Sequence, residues 1–146
     1  MANGSIYQFQ SLQDHVPGSA KPFGDVWQVV AKGDKVYFST TKEMLVWQNG
    51  GFTVVPWPSQ TDDGWRILET TDRLFIHSQG QPLYELVDGR PIRFADNEIT
   101  RSTLIRAILE PETGSCLLLT RERGIWRLQG HDLTPFRTEV DPIFAR

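Results

Sequence analysis

Residues 25–57 read DVWQVVAKGDKVYFSTTKEMLVWQNGGFTVVPW, and this stretch decides the fold class. It divides into four short runs rich in β-branched and aromatic residues: VWQVVA, KVYFST, MLVWQ and GFTVVPW. The punctuation between them is Lys32-Gly33-Asp34-Lys35, Thr41-Lys42-Glu43 and Asn49-Gly50-Gly51. Runs of four to eight such residues bounded by Gly, Asn and Asp are strand signals. Asn-Gly between two apolar runs marks a hairpin, because both residues accept positive φ at little cost. The stretch therefore predicts four antiparallel strands joined by tight turns.

The same pattern recurs twice. LVWQNGGF, LYELVDGRPI and IWRLQGHDL align on Trp47, Leu86 and Leu128, at steps of 39 and 42 residues. The preceding runs VYFST, LFIHS and CLLLT align on Thr40, Ser78 and Thr120, at steps of 38 and 42. The runs before those, VWQVVA, GWRILE and IRAILE, also match. A period of ~40–45 residues with four strands per unit is that of a propeller blade. Helical repeats would need 3.6-residue periodicity, and none is sustained over ten residues. The expected fold is all-β: about three blades of four antiparallel strands, spanning 25–58, 64–95 and 103–138, in an open or oligomerisation-completed propeller.

Taken in order, Ile6 to Leu12 alternates as a lone leading outer strand would. Gln13 to Gly24, with Pro17, Gly18 and Pro22, reads as a polar loop. Pro56 and Pro58 close the first blade at an edge, where no ladder donor is needed. Asn97 to Leu109 has a partly helical spacing, and its second half aligns with the first strand of the other units. Pro111-Glu112-Thr113-Gly114 reads as a turn, and the final EVDPIFAR breaks off where a further blade would begin.

Composition sets the class limits. The 146 residues are enough for one domain with a sizeable core, and 39% hydrophobic with 23% charged residues is a soluble globular balance. A net charge of −3 with both signs scattered leaves no basic footprint for nucleic acid. Cys116 stands alone in an apolar run, which predicts a buried inert thiol. The first residues, MANGSIYQFQ, lack the basic and apolar regions of a signal peptide, so the chain as written is expected to stay where it is made, in the cytoplasm. No apolar run reaches membrane-spanning length, so no direct membrane insertion is expected.

The quoted stretch resembles a blade of the two-component regulator propellers, the ligand-sensing β-propellers of bacterial histidine kinases, hybrid kinases and related diguanylate cyclases. The features that carry the resemblance are Val26-Trp27 opening the inner strand, Val36-Tyr37-Phe38-Ser39-Thr40, and an apolar-aromatic strand ending in a Gly turn. LFIHSQGQPLYELVDGRP and LLLTRERGIWRLQGHDLTPF fit the same mould. These motifs specify a blade type; they carry no chemistry. The resemblance implies a non-catalytic sensor segment on the periplasmic or extracellular side of a receptor, with polysaccharide breakdown products among the ligands. Such sensors carry many more blades, so three imply an excised piece of one. Open end faces then predict self-association, with two copies completing a ring of six to seven blades.

Catalytic patterns are sparse. His15, His77 and His131 fall in a loop, a strand and a turn, without zinc or catalytic spacing. His77 and Ser78 are adjacent in a strand and so point to opposite faces. Asp62-Asp63 and Glu110/Glu112 sit in turns as solvated carboxylates, and no cofactor or metal is expected. Loops of one propeller face are the expected binding surface: 13–24, 41–43, 57–64, 79–82, 95–103 and 121–124. Within them Trp57, Arg101, Arg121 and Arg123 are the candidate ligand-binding residues. Arginine pairs bidentately with carboxylate or sulfate, and an exposed Trp offers a stacking face for a sugar. Trp27, Trp47, Trp65 and Trp126 occupy repeated strand positions and are expected in the blade core. The alternatives are a propeller-type lyase or hydrolase, or a protein-binding scaffold. The enzyme would need inward carboxylates, and the inner strands open instead on Val26, Gly64 and Leu104.

Overall fold

The computed structural model describes residues 11–139. They form three antiparallel four-stranded sheets in chain order, the blade units of an open propeller. The first holds β1 (Val26–Lys32), β2 (Lys35–Thr40), β3 (Glu43–Gln48) and β4 (Gly51–Pro56). The second holds β5 (Arg66–Glu69), β6 (Leu74–His77), β7 (Leu83–Val87) and β8 (Arg90–Ala95). A one-turn helix, α1 (Glu98–Ser102), precedes the third: β9 (Ile105–Glu112), β10 (Ser115–Thr120), β11 (Ile125–Gln129) and β12 (Asp132–Pro135).

Local chemistry sets the hairpins. Asn49 (φ 52°) with Gly50 (φ 79°), and Asp88 (φ 50°) with Gly89 (φ 75°), place two consecutive residues at positive φ. A two-residue hairpin loop whose twist matches its strands requires that geometry. Thr40 and Thr120 end the second strand of their sheets, and each hydroxyl accepts from a backbone N–H three residues on, Glu43 and Arg123 respectively. At these two of the three recurrent hydroxyl positions the side chain caps a turn.

Strand register assigns every side chain to one of two faces. Val30 pairs with Tyr37, and Leu68 with Phe75; these residues face the following sheet. Ile67 pairs with Ile76, and Ile108 with Leu118; these face the preceding sheet, and Val29 with Phe38 holds the same register position on the free face of the first sheet. The seam between the first two sheets buries Val30, Tyr37, Met44, Val46 and Val55 against Trp65, Ile67, Leu74 and Ile76. The second seam buries Leu68, Phe75 and Leu83 against Ile105, Ile108, Cys116 and Leu118. Full burial of such a side chain contributes roughly 1.5–3 kcal/mol, so these two apolar layers dominate the fold.

Polar contacts fix the seams in register. The Gln28 amide donates to the Ile67 carbonyl at 2.8 Å and accepts from the Ile67 N–H at 2.9 Å, standing in for a missing ladder. Ser39 donates to the Trp65 carbonyl at 2.6 Å. His77, at the equivalent position in the second sheet, is fully buried at the second seam. Its Nδ1 accepts from the Ile105 N–H at 3.2 Å, which leaves Nε2–H to donate to the Thr100 carbonyl at 2.8 Å.

Four expectations need correction or refinement. Leu12, the end of the expected leading strand, opens a 3-10 turn (Leu12–His15); Ile6 to Gln10 lie outside the described residues. The expected polar loop 13–24 instead lays Val16 and Ala20, both buried, on Leu45, with Phe23 packed beside Phe38, Phe52 and Val54. It covers the outer part of the first sheet's free face. Trp27 is not core: it is 66% exposed, because no sheet among the described residues lies over the inner strand on that side. The expected turn at Pro111–Gly114 is shorter, since β9 runs on through Glu112. Asn97 to Leu109 splits as its spacing suggests, with helix first and strand after.

Candidate functional site

The turns after β2, β6 and β10 meet the loops after β4 and β8 at one end of the stack. Gln60 donates to the Lys42 carbonyl, and the Thr61 and Ser78 hydroxyls share a 2.8 Å hydrogen bond. The Arg121 N–H donates to the Leu104 carbonyl at 2.8 Å, as the Thr41 N–H does to the Asp25 carbonyl at 3.1 Å. Each second-strand turn is therefore tied to the segment that leads into the inner strand of its own sheet.

The four residues singled out from sequence meet different fates on this face. Trp57 is only 6% exposed. Its ring stacks on Trp65 with centroids 5.8 Å apart and planes 16° apart, and its indole N–H donates to the Thr40 carbonyl at 3.1 Å. It offers no open stacking face. Arg101 is exposed but occupied: Nε and Nη2 both bond to the Asp96 carboxylate, which also receives Arg93 at 3.3 Å. The paired arginine holds the Asp96 carboxyl below its ordinary range, and the carboxylate in turn raises Arg101. This cluster anchors the end of β8 to α1.

Arg121 and Arg123 are the cations that remain available. Arg121 contacts Glu122 at 3.4 Å on the surface, a pair that water screens strongly. Arg123 is exposed, and its backbone is fixed by the Thr120 hydroxyl on one side and the Trp126 indole on the other. The turn is thus hydrogen-bonded through its backbone, and both arginines are exposed at the surface.

Sequence reasoning missed the hydroxyls. Ser59, Ser102 and Thr103 carry buried side-chain oxygens without a hydrogen-bond partner, and all three lie in the loops of this face. Glu43, at the turn after β2, carries another such oxygen. A buried polar atom left unmatched costs roughly 1–3 kcal/mol, so an enclosed water is expected to satisfy such an atom. Serine and threonine are too common in loops for the sequence to flag them.

Three grooves lie apart from the arginine turn, one of them, about 590 Å³, lined by Gln13, Asp14, Lys21 and Phe23. Another, of about 650 Å³, runs along the outer wall between β4 and the β7–β8 hairpin, lined by Tyr37, Gln48, Asp88 and Arg90. Burial, with the nearby Asp34 charge, raises the Tyr37 hydroxyl above its ordinary pKa. The third, about 560 Å³, lies between α1 and β11–β12 and is lined by Phe94, Asn97, Trp126 and His131. The last two fall in the size range of ligand clefts; the former draws its polar groups from strands and a hairpin, the latter from residues 96–98 and the β11–β12 hairpin. Among the described residues no group of three or more His, Cys, Asp or Glu has the geometry of a metal site. Cys116 is buried, and its thiol is raised above its ordinary pKa by desolvation first and by the Glu110 charge second. No helix among the described residues is long and apolar enough to cross a membrane. Comparison with known protein families and with curated proteins finds no match.

Proposed function

We propose that this chain is a ligand-binding propeller segment of a bacterial signalling receptor, non-catalytic in itself and displayed on the extracytoplasmic side. The observation that carries the reading is the loop face. The Arg121–Gly124 turn is hydrogen-bonded to the segment leading into β9, next in sequence to the unmatched hydroxyls of Ser102 and Thr103. The exposed arginines of that turn suit a ligand bearing carboxylate or sulfate, which an acidic saccharide carries. The blade resemblance points the same way.

Titration calorimetry of the purified chain against neutral, uronic-acid and sulfated oligosaccharides tests this. Binding of an acidic saccharide, intact after incubation and about tenfold weaker to Arg121→Ala or Arg123→Ala, is the expected result. Cleavage of the saccharide, or equal indifference to every member of the panel, overturns the reading.

A further inference from the structure

We infer that two copies of this chain join head to tail through their inner strands, β9 of one against β1 of the other, so that six sheets close into one ring. The repeat itself supplies both halves of the contact, with no ligand involved. At the first seam Val30 of one inner strand packs in the same buried layer as Ile67 of the next. At the second seam Leu68 and Ile108 repeat that arrangement. Register puts Leu109 at the position of Val30 and Leu68, opposite Leu117 as they are opposite Tyr37 and Phe75. It puts Val29 at the position of Ile67 and Ile108.

The equivalents differ only in what covers them. Val30 and Leu68 are 8% and 5% exposed, whereas Leu109 is 52% exposed. Ile67 and Ile108 are 2% and 5% exposed, whereas Val29 is 56% exposed. Trp27 precedes Val29 by two residues as Trp65 precedes Ile67, and their exposures are 66% and 2%. The two ends of the stack thus carry the two halves of an interface that the molecule already builds twice within itself.

The way in is open where it is needed. Among the described residues, 12–24 cover the first sheet at Phe38, Leu45, Phe52 and Val54, while Trp27 and Val29 on the inner strand stay exposed. On the third sheet Arg127 lies over the Phe136 ring at 4.9 Å on the outer strands, and Leu109 stands clear at the inner one. Inner strands are also where neighbouring sheets approach most closely within the chain, β1 against β5 and β5 against β9. A head-to-tail contact closes into a ring when its rotation divides a full turn, and six blades is an ordinary propeller number.

Light scattering and sedimentation equilibrium across a concentration series test the inference. A species of twice the 16.7 kDa chain mass is expected. Leu109→Glu and Val29→Glu should each weaken it on the order of 100-fold, as a charge forced into an apolar seam does, while Ile92→Glu on an outer strand should leave it intact. All three sites are exposed in the single chain, so each variant folds, as far-UV circular dichroism will check. Mixing the Leu109→Glu and Val29→Glu proteins should restore a dimer, because that pair keeps one intact seam. A wild-type monomer at all concentrations, a dimer indifferent to Leu109→Glu, or one broken by Leu109→Glu but not by Val29→Glu overturns it. The last result would indicate a back-to-back contact between third sheets.

Discussion

The backbone N–H of Ile105 donates to Nδ1 of His77 across the second seam, so the imidazole must stay unprotonated at that nitrogen. Burial away from water lowers the His77 pKa, and the Thr100 carbonyl only partly offsets it. The folded state therefore binds this proton less readily than the unfolded chain, whose value is about 6.5. The stability it confers is complete above about pH 6.5 and declines as pH falls below that value, by at most about 1.4 kcal/mol per pH unit. Urea titrations at pH 7.5 and 5.5 measure the slope. His77→Gln keeps one donor and one acceptor without a titrating group, so it should lose less stability on acidification than the wild type. Equal slopes for the two proteins would refute the assignment.

A tryptophan enclosed at the first seam and one open to water should differ in what their truncation costs. Trp65 and its partner Trp57 are enclosed at the first seam, whereas Trp27 is in water with its indole N–H on Thr41. Trp57→Ala removes the stacked ring and the bond to the Thr40 carbonyl, and should cost about 3–5 kcal/mol. Trp27→Ala should change the stability of the single chain by about 0.5 kcal/mol or less, measured where the protein is dilute. A large loss at Trp27 would mean that its surroundings are packed.

What the sequence disclosed was whatever depends on neighbours within a few residues. Asn49-Gly50 and Asp88-Gly89 announce hairpins because positive φ is a property of the residue itself. The 40-residue spacing of Thr40, Ser78 and Thr120 located the second strand of each sheet. Burial across a seam is a different quantity. Val26-Trp27 and Gly64-Trp65 look alike locally, and only the presence or absence of a facing sheet separates them. Likewise Trp57 ends a strand beside a polar loop, and nothing local reveals that its ring turns back onto Trp65. Val16 and Ala20 sit in a segment polar enough to read as solvated. The pairing of Arg101 with Asp96 depends on α1 folding the chain back over five residues.

Gly24 is a position where the backbone leaves no room for a side chain. Its φ is +78°, and an added Cβ would lie 2.8 Å from the Thr41 Cβ. The Thr41 hydroxyl already accepts from the Asp25 N–H and the Trp27 indole, so it cannot move without breaking both. Gly24→Ala should cost about 2–3 kcal/mol, the left-handed strain plus the clash. Gly33→Ala provides the comparison, because its φ is +62° but nothing lies within 4 Å. Strain alone acts there, at about 1 kcal/mol. Thermal or urea melts of the two variants should rank them in that order.

The segment 12–24 should open as a unit without unfolding the sheets it covers. It is held by Val16 and Ala20 on Leu45, and its own backbone bonds are short-range, Ala20 N–H to Pro17 and Lys21 N–H to Gly18. Val16→Asp would drive a carboxylate into that apolar contact, and lifting the segment into water costs less than burying the charge. The docking lost is roughly the burial of one valine, about 1.5–3 kcal/mol. Native-state hydrogen exchange should then quicken about 10–100-fold at the Ala20 and Lys21 amides. Amides of β6 and β10, in sheets that the segment does not touch, should keep their protection. Ser19→Asp, at an exposed position, should leave the exchange of both segments unchanged. Loss of protection across all three sheets in Val16→Asp would instead show that the segment is an integral layer of the core.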